Sequence, residues 1–313
     1  MRVLVTGADG FAGRRLVAAL LAAGHEVRAA CRPGGPPLAE WLGADARRVR
    51  VVPLELTDAG SVRAAVADRP ERVVHLAAVS STSEAQRDVA HAWRVNATGT
   101  ALLLDALAAQ PGSAPVTLIA SSAEVYGVGS GRRRVEGDPV EPVSVYAASK
   151  AAAEIAGLEA WRRTGLPVII TRAFPHTGAG QSPQFVVPAF AARIRAARRA
   201  GERVVRTGNL EPVRDLLDVG DVVAAYLALL ERGVPGEAYN VARGEGVAIR
   251  ELFERLARLL DAKVEPVPDP ALARSRDVPH LVGDPTKLAR ATGWRPTKTL
   301  DETLQGVVDA ETD

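Results

Sequence analysis

The chain is poor in several residue types, and each shortage removes a class of protein. Its one cysteine, Cys31, rules out an internal disulfide and a cysteine-built metal cluster. Its net charge is only +2, which leaves no electrostatic footprint for a nucleic acid. The longest basic run, Arg132-Arg133-Arg134, lies among Gly and Ser and reads as a solvated loop tip. No apolar run is long enough to span a bilayer. The strand pattern starting at Arg2 leaves no room for a signal peptide, so a cytoplasmic protein with no membrane partner is expected. Lysine is scarce too: of 39 basic residues, only Lys150, Lys263, Lys287 and Lys298 are Lys. A chain this rich in Arg is expected to keep Lys where the larger, forked guanidinium would serve badly.

What is present is the composition of a globular enzyme, 47% hydrophobic and 24% charged, laid out as alternating strand and helix patterns. Strands are predicted at Arg2–Thr6, Glu26–Cys31, Val49–Leu54, Arg72–Leu76, Val116–Ala120 and Val168–Arg172. Helices are predicted at Ala12–Ala23, Glu84–Ala109 and Val145–Arg163. This order implies βαβ crossovers and a parallel sheet covered on both faces. After Phe174 the rhythm changes. Pro and Gly punctuate 176–188, a basic amphipathic helix follows at Ala189–Ala200, then a strand at Arg203–Arg206 and helices at Val219–Arg232 and Arg250–Asp261. The expected fold is α/β: a Rossmann-type doubly wound parallel sheet over residues 1–173. Residues 174–313 mainly form a smaller C-terminal substrate-binding lobe, interleaved with the last strands of the sheet.

The first strand runs directly into Gly7, Gly10 and Gly13, with Phe11 and Ala12 opening a helix. Glycines at this spacing let the backbone turn tightly and approach a pyrophosphate, whose charge the helix N-terminus receives. The second strand ends Ala30-Cys31-Arg32. A carboxylate there would hold the ribose hydroxyls of NAD, whereas an arginine suits a 2′-phosphate. NADP(H) is therefore the favoured cofactor, with NAD(H) the alternative. Asp58, Leu76, Ala77 and Ala78 follow strand ends and are candidate cofactor contacts.

Tyr146 and Lys150 lie four apart on a predicted helix and share a face. A phenol is a sluggish acid–base group at neutral pH unless a cation stabilises its anion, and Lys150 supplies that charge. Ser122, or by spacing alone its neighbour Ser121, follows a strand at the edge where the nicotinamide would lie. A hydroxyl there can hold a carbonyl oxygen while Tyr146 exchanges its proton.

These motifs, with Ser122-Ala-Glu-Val-Tyr-Gly and Tyr146-Ala-Ala-Ser-Lys150, resemble the extended short-chain dehydrogenase/reductase family, the NAD-dependent epimerases and dehydratases of nucleotide-activated sugars. The resemblance covers nearly the whole chain, including the segments that start at Arg172, Gly208 and Arg274. It implies a GDP-linked nucleotide-sugar substrate, with Arg214 and Arg274 on its diphosphate and His176 and Asn209 beside it. It also implies that Asn96 supports the active-site helix, and that the long helices pair across a two-fold axis into the four-helix bundle of a homodimer. Glu124 matches the acid–base residue of the dehydratases and also occurs in relatives that only reduce. Pro175 departs from the family, which usually has Asn there. Reduction of a 4-keto sugar leads among the activities implied; 4,6-dehydration, 4-epimerisation and cofactor sensing without turnover are the alternatives.

Overall fold

The computed structural model of the protein describes residues 1–35, 39–129, 131–272 and 277–310. Seven parallel strands form the central sheet: β1 (Arg2–Thr6), β2 (Glu26–Cys31), β3 (Val49–Pro53), β4 (Arg72–His75), β5 (Val116–Ser122), β6 (Val168–Ala173) and, much later in the chain, β11 (Ala238–Val241). Their spatial order is β3-β2-β1-β4-β5-β6-β11. The order reverses between β1 and β4, which opens a crevice at their carboxyl ends.

Alternation along the strands feeds two cores. Val3 and Val5 of β1 face one side, with α1 (Phe11–Ala22), α9 (Val219–Arg232) and α11 (Thr286–Thr292). Leu4 faces the other, with α3 (Ala59–Val66), α6 (Thr100–Ala108) and α7 (Val145–Thr164). A single strand thus buries both of its faces, as a parallel sheet between two helical layers requires.

A third core belongs to the C-terminal lobe. There α8 (Val186–Ala200), α10 (Ile249–Leu259) and α12 (Leu300–Ala310) pack together, with Phe190 and Phe253 edge to face at 5.4 Å. Short pairs complete the lobe: β7 (His176–Thr177) with β10 (Leu217–Asp218), β8 (Val204–Thr207) with β13 (Glu265–Pro268), and β9 (Val213–Asp215) between β12 (Gly246–Ala248) and β14 (His280–Leu281). A short helix, α2 (Ala39–Leu42), follows β2.

Two expectations change. The long helix predicted over Glu84–Ala109 is divided into α4 (Thr82–Arg87), α5 (Val89–Trp93), a π-turn at Arg94–Gly99, and α6. Asp88 makes the break: its backbone leaves helical geometry (φ −134°) and its carboxylate accepts from His91 N–H to start α5. The strand Ala238–Val241 was not foreseen. Its four residues are too few to show a period, yet it carries the chain back to pair with β6 at the sheet edge.

Candidate active site

The phosphate loop is shaped by what its glycines omit. Gly7 takes a positive φ of 66°, and a Cβ there would lie 2.8 Å from Ala77 N. A Cβ on Gly13 would overlap Gly7 O, so β1, α1 and the end of β4 approach as closely as backbones can. Helix α1 begins at Phe11 with Gly10 as N-cap, with no side-chain cap and no acidic residue in its first turn. The first-turn N–H groups and the positive helix end are thereby left for an anion. This cradle fits a dinucleotide pyrophosphate. Leu76, Ala77 and Ala78 border it, with Ala77 N–H donating to Thr6 Oγ1 at 3.2 Å. Arg32 is exposed just past β2. Asp58 is the N-cap of α3, accepting from Gly60 and Ser61 N–H at 3.0 Å each; this capping role accounts for its carboxylate without a ligand.

The carboxyl end of β5 and the amino-terminal turns of α7 define the second part of the site. Ser144 Oγ caps α7 by accepting from Ala147 N–H at 3.1 Å, which places Tyr146 in the first turn and Lys150 one turn on. Tyr146 packs against Val79, Ala85 and Ala92. Burial, and secondly the Glu124 carboxylate, push its phenol above its usual range, outweighing the nearby Ser122 hydroxyl, which favours the anion. Ser121 and Ser122 are no longer interchangeable, because Ser121 Oγ turns away to donate to Glu154 at 2.5 Å. Glu124 is half-buried, with Thr82 and Ser144 hydroxyls at 3.4 and 3.5 Å from Oε2.

Lys150 is buried, and burial pushes its ammonium down to about 8 while Glu154 opposes the fall. His75 is pushed down to about 3 by burial and then by Lys150. It stays neutral between the hydroxyls of Thr6 (2.8 Å) and Thr100 (2.9 Å). Asn96 sits in the π-turn. It accepts from Val79 N–H at 2.8 Å and donates to Ser149 Oγ at 2.9 Å, and Ser149 in turn bonds the Tyr146 carbonyl.

Glu154 was not singled out from the sequence. It is buried and bonds Arg172 through Nε and Nη2 at 2.8–3.2 Å. Arg172 also lies 4.8 Å over the Tyr126 ring, and Tyr126 Oη donates to Asn240 at 2.6 Å. The spacing of Tyr146, Lys150 and Glu154 by fours was the available signal.

From the C-terminal segments, His176 stacks on Phe11 with centroids 6.2 Å apart, joining the phosphate loop to the lobe. Pro175 contributes its carbonyl, which accepts from Leu217 N–H at 2.9 Å. Arg214 is half-buried, donates to Val278 O at 2.7 Å and lies 3.5 Å from Asp277. Asn209 is exposed and closes a local turn with Glu211 N–H. Arg274 lies outside the described residues. No helix among the described residues is long and apolar enough to cross a membrane.

A doubly wound sheet with a phosphate loop at its crevice, and beside it a tyrosine next to a serine with a buried lysine one helical turn on, defines an NAD(P)-dependent enzyme of the extended short-chain dehydrogenase/reductase class. Within that class the chain belongs to the GDP-mannose 4,6-dehydratase family, whose model matches residues 4–307. It is 36% identical to the GDP-6-deoxy-D-mannose reductase of Pseudomonas aeruginosa over 98% of this chain and 96% of that one. The structure of RMD from Pseudomonas aeruginosa complexed with NADPH superposes with a TM-score of 0.83, at 32% identity, covering 99% of this chain and 98% of that one. The UDP-glucose 4-epimerase of Thermus thermophilus complexed with NAD is similar at a TM-score of 0.86, also 32% identical, with the same coverage of both chains.

Proposed function

We propose that the protein reduces the 4-keto group of a nucleotide-activated 6-deoxyhexose with NADPH, taking GDP-4-keto-6-deoxy-D-mannose to GDP-D-rhamnose. The observation that carries this reading is the 36% identity to the GDP-6-deoxy-D-mannose reductase of Pseudomonas aeruginosa over 98% of this chain. Tyr146, with Ser122 beside its phenol, is the proton donor that a ketone reduction needs.

NADPH, when bound, supplies the hydride to C4. Gly7, Gly10, Phe11, Ala12 and Gly13 would hold its pyrophosphate and Arg32 its 2′-phosphate, with Asp58, Leu76, Ala77 and Ala78 bordering the rest. NADH is the alternative cofactor. Ser122 Oγ holds the keto oxygen, Tyr146 donates the proton, and Lys150 would bond the nicotinamide ribose and support the resulting phenolate. Arg214, Arg274, His176 and Asn209 take the substrate, the arginines by charge-assisted bonds to its diphosphate. For Arg214 this means exchanging Asp277 for phosphate.

A second reading rests on Glu124, a half-buried carboxylate acting on the Tyr146 phenol, which is where an acid–base group for eliminating water would stand. Incubation with GDP-4-keto-6-deoxy-D-mannose and, separately, GDP-mannose separates the two. Stoichiometric loss of NADPH absorbance with the keto sugar alone is expected. A keto product from GDP-mannose without net cofactor change would establish the dehydratase instead, and turnover of UDP-hexoses alone would overturn the GDP assignment. Tyr146→Phe is expected to lower kcat by at least 100-fold; intact turnover would remove Tyr146 from the chemistry. The protein is further proposed to work in the cytoplasm as a homodimer, α6 and α7 of each copy forming a four-helix bundle.

A further inference from the structure

Lys150 is a buried cation without a direct partner: among the described residues, none hydrogen-bonds or ion-pairs with its ammonium. Few titratable groups face it. From β4 comes His75, held neutral between Thr6 and Thr100. On its own helix, Tyr146 lies one turn before it and Glu154 one turn after. Glu154 is the one acid among them, and it opposes the fall that burial imposes on the lysine.

Glu154 is as buried as Lys150 and is gripped from the sheet. Ser121 Oγ, near the end of β5, donates to Oε1 at 2.5 Å. Arg172 on β6 donates through Nε at 3.1 and 3.2 Å and through Nη2 at 2.8 Å. Both oxygens accept and neither donates, which is the bonding of a carboxylate anion. Arg172 is anchored in turn, with Nη1 on Glu136 O at 3.0 Å and its guanidinium over the Tyr126 ring. Two strands and a helix thus fix one negative charge a single turn from Lys150.

We propose that Glu154 is a positioning residue of the reaction: its fixed charge keeps Lys150 an ammonium at neutral pH, so that Tyr146 gives up its proton beside a cation. The magnitudes favour this role. With a midpoint of about 8, the lysine is about nine-tenths charged at pH 7. A buried opposite charge one helical turn away is worth about one pH unit, so without it about half of the molecules would hold a neutral amine. A neutral amine can still bond a ribose, but it does not stabilise a phenolate.

This inference rests on Tyr146 and Lys150 being the reacting pair, and the charge of the lysine can be read without turnover or cofactor. The chain has only four lysines, so lysine labelled with ¹³C at Cε gives four signals, and Lys150→Met identifies the one sought. Its titration is followed in the cofactor-free wild type, in Glu154→Gln, in Glu154→Asp, and in Glu154→Gln combined with Arg172→Met. The double variant removes both buried charges and so spares the fold an unpaired cation. The midpoint is expected to stay near that of the wild type in Glu154→Asp and to fall by about one pH unit in both variants that lack the carboxylate. A merely structural tie would lower the unfolding temperature and leave the midpoint in place. A midpoint in the double variant within about 0.3 pH units of wild type therefore overturns the inference. The alkaline limb of kcat for the 4-keto sugar should move down with the lysine, and a limb that stays in place overturns Glu154's part in the reaction. A lysine that follows Glu154 in a protein that reduces no 4-keto sugar would sink the proposed reaction and uphold the charge assignment.

Discussion

At the scale of single residues, Lys150 shows a group held in place against its own solvation. Its fall from 10.5 to about 8 corresponds to about 3 kcal/mol of differential interaction between its two protonation states. Between those two values the folded lysine binds fewer protons than the unfolded one, so stability rises as pH climbs from about 8 toward 10.5. Below pH 8 the full penalty is present. Lys150→Met, similar in shape and uncharged, is therefore expected to stabilise the cofactor-free protein at pH 7 by about 1–3 kcal/mol while removing activity. The advantage should shrink above pH 8. Denaturant titrations at pH 7 and pH 10 check both statements, and a variant less stable than wild type at pH 7 would refute the burial penalty. The pair itself was legible because Tyr-x-x-x-Lys carries both a helix period and a chemistry. Glu154 was not, because a lone Glu on a helix reads as solvated until β5 and β6 are seen to close over it with Ser121 and Arg172.

At the scale of elements, the junction of β1 and α1 has the least slack. The sequence showed its glycines and its place between strand and helix, and a turn was predictable from them. The pressure of Gly13 on Gly7 O, and of Gly7 on Ala77, was not, since it depends on β4 lying beside β1. Gly13→Ala is expected to push α1 off the loop, costing about 1–3 kcal/mol of stability and at least tenfold in NADPH affinity. Thermal unfolding with and without NADPH separates the two effects, and undiminished stabilisation by the cofactor would show that the junction tolerates a side chain. Strands were read almost to the residue where alternation or an apolar run met Gly or Pro. The failure over α4–α6 has the opposite cause: an unbroken helical period hid the capping role of Asp88.

Across the whole molecule, the lobe and the sheet are tied by buried polar groups that hydrophobic patterning does not reveal. Asp215 is fully buried and accepts from Arg243, Gly244 and Gly283 N–H at 2.8, 2.8 and 3.2 Å, binding β9 to the chain just past β11 and past β14. Asp215→Ala leaves three buried donors without an acceptor, and a loss of about 3 kcal/mol or more is expected in denaturant unfolding; a loss under 1 kcal/mol would mean that the lobe relaxes to pair them otherwise. The same view leaves one apolar face on the other side of the molecule. Along α5–α7, Ile155 is 69% exposed and Trp93 41%, beside a groove lined by Ala101, Leu102, Ala156 and Ala160. Small residues at the groove permit close helix approach, and Arg163 there faces both Glu159, its ion-pair partner, and Asp105. A second copy of the same two helices suits that surface, since a two-fold axis sets each patch against itself. Ile155→Lys places two like charges at that axis without touching Tyr146 or Lys150. Sedimentation should then report monomers where the wild type sediments as a dimer, with helical content unchanged. A variant that still sediments as a dimer would move the contact elsewhere, and a monomeric wild type would remove the bundle altogether.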